Sequence, residues 1–192
     1  MDHYEKLQQR LDTHQAGAPP SEHFTQILRI LFTPEEAEIA CHLTFVLQPL
    51  DKLALKAGME EAPLKIILEH MADKAIILAR IGKDGLSKYS LLPTIPGLFE
   101  FPFMRSERLS NKEELGRLWH DYHTEALGNA FSGSPTPSVR VVPVQSTIPV
   151  TTEVLHYEQV SELIKTAKYT ALAECACRHS VGACDKPREV CL

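Results

Sequence analysis

The sequence has no surplus of positive charge. Its 20 Lys and Arg are outnumbered by 25 Asp and Glu, a net charge of −5 and a pI near 6.0. That balance disfavours a protein living on phosphate contacts, because counterion release needs a basic face. Long apolar runs are also missing. The stretch Ala75–Ala79 is far too short to span a bilayer. The opening Met1-Asp2-His3-Tyr4-Glu5 carries no basic region followed by an apolar run, which predicts a cytoplasmic protein in a reducing compartment. There is no G-x-S-x-G, P-loop, G-x-G-x-x-G or H-E-x-x-H, so hydrolase, nucleotide-transfer and zincin chemistry have no motif to rest on. Cysteine is scarce, at five residues in 192, but it is unevenly placed: Cys175, Cys177, Cys184 and Cys191 fall in the last 18 residues, and Cys41 stands apart.

What is present reads as an α+β protein. Residues 1–20 form a polar leader with a short helix on Tyr4, Leu7 and Leu11. Phe24, Ile27, Leu28 and Leu31 recur at helical spacing. Thr33-Pro34-Glu35-Glu36 is a helix start: a capping threonine, proline at the first helical position, and a glutamate closing the capping box. It predicts a helix over 34–46. Two further helices, 50–57 and 60–74, flank Gly58 in the pattern Ala54-x3-Gly58-x5-Leu64, a helix-turn-helix signature. Strands at 76–81 and 89–92 surround Gly82-Lys83-Asp84-Gly85, a hairpin tip. Together these predict a winged helix over 21–93. Residues 94–130 read as an extended Pro93–Pro102 stretch and a connector helix, capped by Ser110-x-x-Glu113 and ending near Gly128. A linker is expected at 131–138. A small α/β segment over 139–192 carries a strand at 139–144, a helix at 157–168, and a strand at 169–173 leading into Cys175.

The spacing Cys175-x-Cys177-x6-Cys184-x6-Cys191 puts four thiolates within 17 residues, enough to surround a soft metal centre. It lacks the Cys-x2-Cys knuckles of structural zinc sites, which tilts the expectation toward iron–sulfur, with zinc as the alternative. Arg178, Lys186 and Arg188 lie between the ligands and would offset cluster charge. Cys41, on an apolar helix face, reads as a small buried hydrophobe. His179 reads as a neighbour of the centre rather than a ligand. The pair His120-x2-His123 reads as polar residues flanking the Trp119/Tyr122 face, since helical spacing alone brings such residues together.

Ala173-Glu174-Cys175-Ala176-Cys177-Arg178 and Gly182-Ala183-Cys184-Asp185-Lys186-Pro187-Arg188-Glu189-Val190-Cys191-Leu192 resemble a motif of one family. These are winged-helix-containing 4Fe-4S ferredoxin-like proteins of anaerobic bacteria and archaea. Leu31–Ala37, His70–Lys74 and Pro96–Phe101 are similar to segments of that family too. The resemblance implies an electron-transfer or redox-coupling protein whose 4Fe-4S cluster is held by Cys175, Cys177, Cys184 and Cys191. Family members continue through a dicluster ferredoxin segment. The resemblance therefore implies a redox partner protein, or that further segment, as electron partner, and a chain shortened relative to the family.

A rival class is a regulator or interaction module whose cysteines sense redox state or metal. The helix over 60–74 carries Glu60, Glu61, Glu69 and Asp73 against Lys65 and Lys74, and residues 21–93 hold 8 Lys+Arg against 10 Asp+Glu. DNA binding is not expected on that charge. Protein interaction or homodimerisation stays open for such a module, and membrane insertion is not expected.

Overall fold

Leu7 and Leu11 turn the N-terminal leader into part of the core. The computed structural model describes residues 2–104, 109, 111–133 and 156–191, with Cys191 described by its backbone alone. Helix α1 (His3–Asp12) buries Tyr4, Leu7 and Leu11 against α2 (Glu22–Leu31) and α3 (Pro34–Ala40). The Tyr4 hydroxyl donates to the Phe32 carbonyl at 3.1 Å, and Arg10 Nε donates to the Leu43 carbonyl at 3.0 Å.

The Thr33 capping box is formed on both sides: Thr33 Oγ1 accepts from the Glu36 amide, and the Glu36 carboxylate accepts from the Thr33 amide at 2.8 Å. The helix it starts ends at Ala40, short of the expected residue 46. The chain leaves because the next segment serves the sheet. The Leu91 amide donates to the Thr44 carbonyl at 2.8 Å, and β1 (Gln48–Pro49) then joins the sheet edge.

Helix α4 (Leu50–Ala57) closes on Gly58, whose left-handed φ of 63° favours a residue without Cβ, and α5 (Glu61–Asp73) comes next. Ala54 and Leu64 are both buried at this turn, as the sequence pattern requires. Strands β2 (Ile77–Ile81) and β3 (Ser87–Leu91) form an antiparallel hairpin, and β1 pairs with β3 on its other side, giving the order β1–β3–β2. Tyr89 points from β3 into the core and its hydroxyl donates to Glu69 at 2.6 Å.

The stretch expected to be extended, Pro93–Pro102, instead turns sharply and enters a short helix, α6 (Glu100–Met104). The Gly97 amide donates to the Glu100 carboxylate at 2.7 Å, and Pro102 sits in the first turn, where its missing N–H leaves no helical hydrogen bond unmade. Leu98 and Phe103 anchor the segment in the core. Helix α7 (Lys112–Tyr122) begins after Asn111; Ser110, the expected cap, lies outside the described residues. It runs through a wide turn at His123–Leu127 into α8 (Gly128–Ser132), past the expected end near Gly128. Phe24 of α2 stacks on Tyr122 at 4.6 Å between centroids and meets Trp119 edge-on, while Phe99 meets Trp119 at 5.4 Å. These rings fasten the connector helix to the N-terminal core.

Most of the expected linker and the strand at 139–144 lie outside the described residues. Helix α9 (Tyr157–Thr166) buries none of its side chains. The C-terminal unit is β4 (Ala173–Glu174), α10 (Ala176–Val181) and β5 (Glu189–Cys191), with β4 and β5 antiparallel. The architecture is α+β. Among the described residues, no helix is long and apolar enough to cross a membrane.

Candidate metal centre

The cysteine motif occupies a strand–helix–strand unit. Cys175 is the residue before α10 and Cys177 lies in its first turn, where a loop was expected to begin. The turn comes later, at Gly182, which takes the left-handed conformation (φ 65°) and ends the helix. The chain then returns through Cys184 and Pro187. The Cys175 amide donates to the Arg188 carbonyl at 2.7 Å, and Ala173 pairs with Cys191 across the β4–β5 ladder. Arg178 Nη1 donates to the Pro187 carbonyl at 2.6 Å, tying the helix to the returning loop. The ladder thus sets the Cys191 backbone beside Ala173, two residues before Cys175.

The thiols at Cys175 and Cys184 are half-buried and the one at Cys177 is exposed; none of the three is in a disulfide. Among the described residues, no three Cys, His, Asp or Glu side chains gather as a metal-binding group. The side chain of Cys191 lies outside the described residues. The donor chemistry suits a soft metal, since the sequence of the unit supplies four cysteines. The described thiols are brought into one unit but not to one point.

Cys41 sits far along the chain at the end of α3. Its Sγ donates to the Ala37 carbonyl at 3.2 Å, and burial pushes its thiol up from the ordinary value, so it is held as a neutral, inert group. The exposed imidazoles of His120 and His123 stand on α7 and the turn after it, apart from any metal-binding group among the described residues.

Two features of the site were not read from the sequence. One is Gly116. A Cβ there would run into the Ser180 carbonyl oxygen, so the bare glycine is what lets α10 lie on α7. The available signal was a glycine inside the Leu115/Leu118/Trp119/Tyr122 apolar face. The other is the packing of His179, which the sequence marked only as a neighbour of the centre. The side chain is nearly buried, with Nδ1 3.0 Å from Glu174 Oε2 and its ring 5.9 Å from that of Phe103 in α6. This imidazole packs the cysteine unit onto the core. No signal in the sequence joined it to Phe103, 76 positions away.

No family model, curated protein or solved structure matches this chain.

Proposed function

We propose that this chain is an iron–sulfur protein of electron transfer or redox coupling, with Cys175, Cys177, Cys184 and Cys191 as the ligands of a 4Fe-4S cluster. One observation carries the reading: all four cysteines fall within 17 residues of a single strand–helix–strand unit whose ladder sets residue 191 beside residue 173. Ligation requires Cys177 and Cys184 to swing toward Cys175. Such closure is the ordinary coupling of metal binding to folding in small cysteine-rich units. When bound, the cluster would supply one-electron exchange, at a potential governed by amide hydrogen bonds and burial.

Two helices, an edge strand, two more helices and a hairpin with sheet order β1–β3–β2 support a winged-helix reading of residues 21–93. Its acidic α5 favours a protein-facing role over a DNA-facing one. The partner is then a redox protein or a ferredoxin segment, and the setting a reducing cytoplasm.

The test is anaerobic purification of the full chain, with iron, sulfide and zinc analysis and a visible spectrum. A brown sample with broad absorption near 400 nm (roughly where sulfide-to-iron transitions fall) and matched iron and sulfide is expected. A colourless, zinc-loaded sample would overturn the reading in favour of a structural zinc site. Specific, steeply salt-dependent duplex binding that changes with cluster state would favour the regulator.

A further inference from the structure

We propose that the junction of α7 and α10 is a binding site for a small amphipathic anion, an apolar body of about bicyclic size carrying one carboxylate or similar group. Gly116 keeps the two helices close, and a cleft of about 260 Å³ opens beside it. Ile95, Phe99, Trp119, Leu127 and Val181 supply its apolar walls. An apolar cavity of about 150 Å³ holds a benzene ring, so this volume suits two fused rings.

The Trp119 ring forms one wall of the cleft. Trp119 is 3% exposed, and its indole N–H has no hydrogen-bond partner among the described residues.

A second cleft, of about 460 Å³, adjoins the first. The two share Gly116, His120, Ser180 and Val181 as lining residues. Its lining brings Lys112, Arg117 and Arg188 together against one carboxylate, Glu113. Among the described residues no ion pair engages those three cations. An apolar well opening onto a cationic rim selects a molecule with a hydrocarbon body and an anionic end. A purely apolar molecule leaves the rim unused, and a bare inorganic anion leaves the well empty.

Trp119 is the single tryptophan of the chain, so its emission reports from inside the site. The full chain is to be titrated with 2-naphthoate, naphthalene and inorganic phosphate, by equilibrium dialysis and by Trp119 emission. Saturable binding of one 2-naphthoate per chain with a change in Trp119 emission is expected, with naphthalene several-fold weaker and phosphate without effect. The double substitution Arg117→Ala/Arg188→Ala removes two exposed cations and should weaken 2-naphthoate by about tenfold while sparing naphthalene. Val181→Phe, at a position 62% exposed, should block both ligands by filling the shared mouth. Equal affinity for naphthalene and 2-naphthoate, or full 2-naphthoate binding by the arginine double variant, would overturn the anionic preference. Absence of saturable 2-naphthoate binding would overturn the site.

Discussion

The two ends of this protein are stabilised differently. From Tyr4 to Tyr122 the chain buries a continuous set of leucine, isoleucine and aromatic side chains, with Leu7, Phe24, Leu64 and Phe103 fully removed from water. From His156 onward, only Ala176 and Ser180 are buried among the described residues, while Tyr157, Tyr169, Leu172 and Val181 stand exposed. Apolar burial is the main favourable contribution to folding and must exceed the entropy lost on ordering the chain. The first region has that surplus. The cysteine unit has little of it. It is ordered by one glycine-mediated helix contact, a short ladder and the His179–Phe103 packing. A region so poor in core gains most from a ligand that binds only its folded form.

Substitutions at four positions break or sharpen this contrast. Phe24→Ala removes a fully buried ring that stacks on Tyr122 and meets Trp119 edge-on. It should cost about 3–5 kcal/mol, read as a lower denaturation midpoint of the whole chain.

Glu36→Ala comes next. This carboxylate is 4% exposed, takes a hydrogen bond from Lys74 at 2.6 Å, faces His70 at 3.0 Å and caps α3. Its loss should cost about 1.5–3 kcal/mol, as for a hydrogen-bonded buried charge. Glu36 also sets an acid limb. Burial pushes its pKa up, but the Lys74 hydrogen bond, the Thr33 amide and His70 outweigh burial and hold the carboxyl below the ordinary glutamate value of 4.5. A depressed carboxyl contributes stability above its unfolded pKa and loses it as pH falls through its folded pKa. Stability measured from neutral pH down should therefore drop below about pH 4.5 in the parent, and Glu36→Gln should flatten that drop.

Gly116→Val acts on the other region. The new side chain meets the Ser180 carbonyl and should lift α10 from α7 at a local cost of about 1–3 kcal/mol. Limited proteolysis should then cut within 173–191 while the main thermal transition barely moves. A shift of the main transition as large as that of Phe24→Ala would show that the two regions melt as one. The smallest effect is Thr33→Ala. Losing this cap should cost about 1 kcal/mol in a urea titration and leave the cysteine unit's protease pattern unchanged.

Legibility in the sequence divides along the same line. The Thr33 box, the Ala54/Gly58/Leu64 turn and the Gly82–Gly85 hairpin tip could be read because each is a local device with fixed spacing. The early exit of α3 at Ala40 could not, since it depends on Thr44 and Gln48 meeting a strand some forty residues later. The turn at Thr94–Leu98 and the short α6 were hidden by Pro93, Pro96 and Pro102, which signal a break in regular structure but leave open how the chain resumes after it. The cysteine spacing marked the candidate centre, but the docking of α10 on Gly116 is a tertiary contact between helices sixty residues apart.

Hydrogen exchange on the full chain, before and after anaerobic reconstitution with ferrous iron and sulfide, tests the central claim most directly. Cluster assembly on Cys175, Cys177, Cys184 and Cys191 predicts that protection rises sharply across 173–191 and stays unchanged from 24 to 92. Protection across 173–191 that does not change, or that rises equally in a Cys177→Ser variant, would contradict it.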